Sequence, residues 1–227
     1  LADASHELRT PLAAAKMQVQ LAQRKYGPQL EAGPRQALDG LNRQVDRMTK
    51  LVGDLLDVSR LVTGRLSLEL EDFDLVPLLR TACERLQTLT AEHRLRLDVP
   101  EHLSLWGDPG RIEQVVTNLV SNAVRYSPQG GLVEMRAWTE GRELALWVRD
   151  QGVGIPAEKL ALIFERFGQA HGARYGGLGL GLTISQGIIA QHGGRIWAES
   201  RGIEGEGSIF HVRLPLKRRA VEAQHPS

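Results

Sequence analysis

The sequence predicts a helical hairpin followed by a mixed α/β domain. Three observations carry that expectation. Apolar residues recur at three- and four-residue spacing through residues 1–64, as on one face of a helix. Gly27, Pro28, Gly33 and Pro34 interrupt that pattern once, so it holds two helices and one loop. From residue 65 onward, segments of period two trade places with segments of helical period, as in a sheet with helices on one face.

The first helix is marked by Leu1, Leu8, Leu12, Ala15, Val19 and Ala22. The second is marked by Leu38, Leu41, Val45, Met48, Val52, Leu55, Val58 and Val62, close to a heptad. Gly64 suits a helix C-cap. A lone hairpin cannot bury both stripes. Pairing with a second copy, as a four-helix bundle, is the expected solution. Packing on the C-terminal domain is the alternative. Next come an alternating segment at 65–71, a helix at 75–92, and short strands around 95–99 and 103–105. Asp108-Pro109 starts a helix that runs to Tyr126, because Asp caps and Pro suits the first turn. A hairpin of 133–139 and 143–149 turns at Glu140-Gly141. A short helix at 157–164, a glycine-rich stretch, a helix at 180–191 and strands at 195–200 and 208–214 complete the domain. The expected boundaries are 1–64 and 65–217, with a tail at 218–227.

Bulk composition narrows the function. The 28 basic and 27 acidic residues leave a net charge of +1, so electrostatics give no case for nucleic acid or an anionic membrane surface. Cys83 is the single cysteine, which rules out an intrachain disulfide and fits a reducing cytosol. No apolar run is long enough to span a bilayer, so no direct membrane contact is expected of this segment. The chain starts without Met, in a helical pattern. It reads as a cytoplasmic portion of a longer protein, with any sensor or inner-membrane anchor upstream.

His6 falls on the side of the first helix opposite Leu8, Leu12, Ala15 and Val19, so it is expected to be exposed. Thr10 stands beside it one turn on, and Glu7 flanks it. Pro11 cannot donate to the Glu7 carbonyl, and a kink is expected there. Neutral imidazole is nucleophilic near pH 7, and Glu7 could hold one ring proton while the other nitrogen attacks. A solitary surface histidine is the competing reading.

The helix after Asp108 carries a polar ridge of Gln114, Asn118, Asn122 and Arg125 beside an apolar side of Ile112, Val115, Val116, Leu119 and Ala123. Asn is a poor helix former, so the ridge is either a solvated face or a ligand contact. Amide oxygens suit Mg²⁺ and Arg suits phosphate. Asp150-Gln151-Gly152-Val153-Gly154 follows a strand, as a plain turn or as a loop that lets a ligand approach its backbone. Gly176-Gly177-Leu178-Gly179-Leu180-Gly181 opens a helix whose amides would favour an anion. A flexible loop is the alternative. Phe164 and Phe167 precede it, as core residues or as the anchor of a mobile lid. No P-loop and no dinucleotide fingerprint are present.

The order of these pieces resembles one family. Ser5-His6-Glu7-Leu8-Arg9-Thr10-Pro11-Leu12 resembles the phosphoacceptor box of sensor histidine kinases. Asn118 to Ser127 resembles their asparagine box. Asp150 to Pro156 is similar to the first glycine box, and Ile163 to Phe167 to the phenylalanine box. Gly177 to Leu182 is similar to the second glycine box, and Gly205-Glu206-Gly207-Ser208 to a third. The resemblance covers nearly the whole chain. It implies a dimeric four-helix bundle, built from the α-helical hairpin, followed by an α/β sandwich of the GHKL (Bergerat) ATPase type. The implied cofactors are ATP and Mg²⁺. The implied activity is autophosphorylation of His6 and transfer to an Asp of a response regulator receiver domain.

Motif by motif, the resemblance gives His6 the phosphoryl group and makes Glu7 the assisting base. Thr10 would support dephosphorylation of the partner. Asn122, with Asn118, would bind Mg²⁺. Arg125 would touch phosphate, Tyr126 would lie beside the nucleotide, and Asp150 would read the adenine amino group. Gly152, Gly154, Gly177, Gly179 and Gly181 would shape pocket and lid, with Phe167 at the lid's start. The departures are Arg125 where Lys is frequent, Leu178 where Thr is common, a short lid at 168–175, and only five residues before His6. A linker near 60–65 would permit domain motion. Two rivals remain at this level. One is a clamp-like ATPase of the same fold, against which the exposed His-Glu pair argues. The other is a degenerate dimeric scaffold, against which Asn122, Asp150 and the glycines argue.

Overall fold

A computed structural model describes residues 2–175 and 177–216, with backbone only for residues 2–9, Ala173 and Arg174. The expected tail at 218–227 lies outside the described residues. The chain divides into two compact units, Leu1–Leu66 and Ser67–Ser227.

The first unit is a helical hairpin of α1 (Ala2–Tyr26) and α2 (Ala32–Val62), joined through a single 3₁₀ turn at Gly27–Gln29. Helix α1 continues through Pro11. Helix α2 begins earlier than its apolar pattern suggests and takes in Gly33 and Pro34. Both sit in the first turn, where a missing N–H costs no intrahelical bond. Lys16 pairs with Asp46 at 2.8 Å, and the Gln23 amide donates to Asp39 at 2.6 Å, which fixes the antiparallel register. The end of α2 is a Schellman motif. Gly64 adopts φ +63°, its N–H donates to the Leu61 carbonyl, and Arg65 N–H donates to the Arg60 carbonyl.

The second unit contains β1 (Glu71–Asp74), α3 (Leu75–Gln87), β2 (His93–Asp98), β3 (Ser104–Gly107) and α4 (Pro109–Arg125). It continues with β4 (Gly131–Glu140), β5 (Glu143–Arg149), α5 (Gly181–Gln191), β6 (Arg195–Glu199) and β7 (Ile209–Pro215). Strands β2-β4-β5-β7-β6 form one sheet, with β2 and β4 parallel and the remaining neighbours antiparallel. Strands β1 and β3 form a separate antiparallel pair. Val133, Met135, Leu144, Val148, Val212 and Leu214 point from the sheet into a core shared with Leu79, Leu119, Ile184 and Ile188 of the three helices. The opposite sheet face carries Trp138, Trp147 and Trp197. There the Arg136 and Arg213 guanidiniums lie over Trp138, and Arg195 lies over Trp197. These three arginines are ion-paired with Asp98, Glu140 and Glu143.

Three expected elements differ. Residues 65–70 form no strand, and pairing starts at Glu71. Helix α3 stops at Gln87, five residues short. The Gln87 side chain there donates to the Thr90 and His93 carbonyls and accepts from Leu95 N–H, which steers the chain straight into β2. The expected helix at 157–164 is two separate 3₁₀ turns, Ala157–Lys159 and Leu162–Phe164. Asp108 caps α4 as its position suggests, accepting from Arg111 N–H at 3.0 Å with Pro109 in the first turn.

Candidate functional site

The residues singled out in the second unit come together where α4 ends, the loop after β5 begins and α5 starts. Asn118 is buried on α4, and its amide donates to the Gly181 carbonyl at 3.3 Å and to Ser185 Oγ at 3.4 Å. A Cβ at Gly181 would lie 3.5 Å from the Asn118 amide carbon, an ordinary contact, so the start of α5 and this amide are neighbours. Asn122 follows one turn later and is half-buried. Arg125 sits in the last turn. Its Nη1 lies only 2.7 Å from where a Cβ on Gly177 would be, so the absent side chain at Gly177 makes room for the guanidinium.

Tyr126 caps α4, and its carbonyl accepts from Val153 N–H at 3.0 Å. A Cβ on Gly152 would fall on that same carbonyl. Glycine is therefore required at 152 for the loop to pack against the helix end. Asp150, at the end of β5, is buried. Its Oδ1 accepts from Gly152 N–H at 2.9 Å and Ser208 N–H at 3.2 Å, and its Oδ2 accepts from the Ser208 hydroxyl at 2.6 Å. Burial raises the Asp150 carboxyl above its ordinary value, and the three hydrogen bonds oppose that shift. The Tyr126 phenol is also raised, again by burial first, with the nearby Arg125 charge acting the other way.

The segment leading to α5 closes one side of this region. Phe167 adopts φ +62° and its side chain is exposed. Gly179 has φ +69°, and a Cβ there would meet the Gly168 carbonyl at 2.7 Å. The Gln169 amide donates to the Gly177 carbonyl at 2.9 Å. The first amides of α5, like those of any helix, have no intrahelical acceptor, and no N-cap side chain accepts from them, so they suit an anion.

Sequence reasoning assigned no role to Ser208, although it belongs to the third glycine segment, nor to His171 and Tyr175. The His171 and Tyr175 rings group with Tyr126 at centroid distances of 5.2–6.1 Å. The available signal for Ser208 was its place directly after Gly207, where the structure shows that a Cβ at 207 would strike the Asp150 carbonyl. The side chains of His6 and Glu7 lie outside the described residues. Thr10, one turn on, is exposed. Among the described residues no group of three or more His, Cys, Asp and Glu could hold a metal ion.

Two family models match the chain. Residues 1–64 match the His Kinase A (phospho-acceptor) domain, and residues 107–218 match the histidine kinase-, DNA gyrase B-, and HSP90-like ATPase. The chain belongs to the sensor histidine kinases. Relatives in the family include the alginate biosynthesis sensor protein KinB of Pseudomonas aeruginosa, 37% identical over 94% of this chain and 36% of KinB. Another is the signal transduction histidine-protein kinase BaeS of Escherichia coli, 34% identical over 96% of this chain and 46% of BaeS. The chain thus spans less than half the length of these curated relatives. Among solved structures, full-length ShkA in complex with AMPPNP superposes with a TM-score of 0.76 at 29% identity, over 96% of this chain and 46% of ShkA. Acinetobacter baumannii histidine kinase AdeS gives 0.68 at 27% identity, over 94% of this chain and 98% of AdeS. The fold is that of the family, a helical region followed by a GHKL-type α/β domain. Among the described residues no helix is long and apolar enough to cross a membrane.

Proposed function

We propose that this chain is the autokinase portion of a two-component sensor. It would bind MgATP in the second unit, phosphorylate His6, and pass the phosphoryl group to an Asp of a response regulator receiver domain. The observation that carries the reading is the convergence of Asp150, Gly152, Tyr126, Arg125 and the α5 N-terminus on one region, in a chain whose first unit matches the phosphoacceptor family.

In this reading Asp150 accepts from the adenine amino group. Its buried carboxylate is already oriented by Ser208, so little rearrangement is needed on binding. Gly152 and Gly154 bring backbone close to the base. Tyr126 lies beside the nucleotide, Arg125 meets phosphate, and the α5 amides receive the negative charge of the phosphate chain. Gly177 and Gly179 allow the approach of the 168–180 segment, with Phe167 at its start, and Gly181 opens α5 beside Asn118. Mg²⁺ would be held by the Asn122 amide oxygen, with Asn118 behind it, and would neutralise phosphate charge. Amide oxygen suits a hard cation that arrives with the nucleotide and keeps several waters.

The free ring nitrogen of neutral His6 forms the P–N bond as the β,γ-bridging oxygen leaves with ADP. Glu7 stabilises the proton on the other ring nitrogen. Thr10 is assigned to the reverse duty, dephosphorylation of the response regulator. The first unit acts as a homodimer, because Leu41, Met48, Leu55 and Val62, seven residues apart along α2, are all about half exposed and no residue of α2 is buried. The segment works in the cytoplasm, where ATP and receiver domains are found, whether or not its parent is anchored in the inner membrane.

The test is intact mass after incubation with MgATP, before and after mild acid. An acid-labile phosphate in the wild type, absent from His6→Gln while nucleotide binding persists, is the expected result. Binding without transfer would move the reading to a clamp-like ATPase, and absence of nucleotide binding would overturn it.

A further inference from the structure

We infer that His171 is a positioning residue for the nucleotide, acting through a hydrogen bond from its Nε2 to the Gly154 carbonyl. The inference rests on the ATP-site reading above. It concerns a residue outside every motif that led to that reading.

The loop after β5 must present Asp150 and its two glycines to the base in one conformation. Its backbone is held from three sides. Asp150 N–H donates to the Ser208 carbonyl at 3.0 Å, Val153 N–H donates to the Tyr126 carbonyl at 3.0 Å, and Gly205 N–H donates to the Gly152 carbonyl at 2.8 Å. These bonds fix the loop as far as residue 153. Gly154 itself is in the left-handed region at φ +71°, where the backbone of residues 202 and 203 would lie within 3.0–3.1 Å of a Cβ. Its carbonyl accepts from His171 Nε2 at 2.7 Å. The last glycine of the loop is therefore pinned by a side chain from a segment that arrives 17 residues later.

That side chain is itself oriented. The His171 ring lies 6.1 Å from Tyr126 and meets Tyr175 edge-on at 5.8 Å, and the two tyrosine rings are 5.2 Å apart. Such spacings are those of favourable aromatic contacts. Tyr126 is anchored by the end of α4 and by its carbonyl bond to the glycine loop. One imidazole thus couples the residue placed beside the nucleotide to the loop placed beneath the base. A leucine could fill the same space and touch the same rings, but it cannot donate to Gly154. A glutamine lacks the ring, but its amide nitrogen reaches about as far as Nε2 and can donate the same bond.

The experiment uses the full chain and the pair His171→Gln and His171→Leu. The dissociation constant for Mg·ADP is measured by calorimetry, and the melting temperature is measured without nucleotide. Loss of one buried-side hydrogen bond predicts affinity about fivefold weaker for the Leu variant, with the Gln variant within about twofold of wild type. A merely structural contact would shift the two melting temperatures without separating the two affinities. Equal affinities for Gln and Leu, whether both retained or both weakened, would overturn the inference while leaving the ATP reading intact. Failure of the wild type to bind Mg·ADP would overturn the ATP reading itself, and the inference with it.

Discussion

The Ser208 hydroxyl donates to Asp150 Oδ2 over 2.6 Å, and both residues are buried. A carboxylate taken out of water needs such partners, and Asp150 has three. Burial still wins, because the folded carboxyl sits above its ordinary value. A raised folded value means the native state holds a proton that the unfolded chain gives up. The stability this proton confers is complete below the ordinary value of 3.8 and is lost as pH rises through the folded value. Asp150→Asn removes that loss. Its Oδ1 can accept the same two N–H donors, and its amide can donate to the Ser208 oxygen, which is free to turn. The expected result is a higher melting temperature than wild type at pH 7, a gap that narrows on acidification, and weaker Mg·ADP binding. Melting curves of the two proteins from pH 4 to 7 check the first two, and calorimetry checks the third.

Ser208→Ala leaves the carboxylate with two backbone donors and no hydroxyl. Removing a bond to a charged, buried acceptor costs about 1.5–3 kcal/mol. The Asp150 carboxyl should rise further, since the Ser208 hydroxyl is the largest of the influences that lower it. Urea denaturation of the second unit should show the loss at pH 7. The loss should shrink as the carboxyl protonates.

Local chemistry explains what could be seen in the sequence. The start of α4 rests on Asp108-Pro109, and the turn between β4 and β5 rests on Gly141, which adopts φ +63°. Both signals sit within a few residues of the feature they produce. The end of α3 is not of that kind, because it depends on Gln87 bonding to Leu95 across the turn. The pairing of Asp150 with Ser208 joins residues 58 apart, and no periodicity links them. The resemblance to a family located most of the candidate site, whereas His171 could be placed only through contacts made in three dimensions.

The exposed heptad of α2 predicts an oligomeric state. Leu41, Met48, Leu55 and Val62 are 47–55% exposed in one chain. Covering an exposed leucine fully is worth about 1.5–3 kcal/mol, so a paired surface of this length supports a stable dimer. Light scattering on the wild type should give a dimer mass. The double variant Met48→Glu, Leu55→Glu should give a monomer that still binds Mg·ADP, because the second unit is a separate compact body.

His192 predicts acid sensitivity. Its Nε2 accepts from Asp108 N–H at 3.0 Å, and its Nδ1 donates to the Ile188 carbonyl at 2.8 Å. The ring thereby ties the end of α5 to the cap of α4. Burial lowers its value below the ordinary 6.5. A depressed histidine contributes stability that is present above 6.5 and lost as pH falls through the folded value, because protonation removes the acceptor that Asp108 needs. The second unit should therefore melt at lower temperature as pH falls below about 6.5. His192→Gln keeps an acceptor and does not titrate, so the slope in that window should flatten. An unchanged slope would assign the effect to another group.

Two glycines of the second unit should respond oppositely to alanine. Gly152 lies where a Cβ would collide with the Tyr126 carbonyl, a backbone atom that cannot swing aside. Forcing a methyl group into that contact costs about 1–3 kcal/mol and displaces the loop that carries Asp150. Gly110 lies in the first turn of α4, where the nearest atom to a Cβ is an Asp108 carboxylate oxygen at 3.5 Å, an ordinary contact. Alanine there restricts the unfolded chain without crowding the native one and should stabilise by about 0.4–1 kcal/mol. Denaturation midpoints of the two variants should move in opposite directions. Mg·ADP binding should fall for Gly152→Ala and stay at the wild-type level for Gly110→Ala, which separates collision at the loop from any general effect of adding a methyl group.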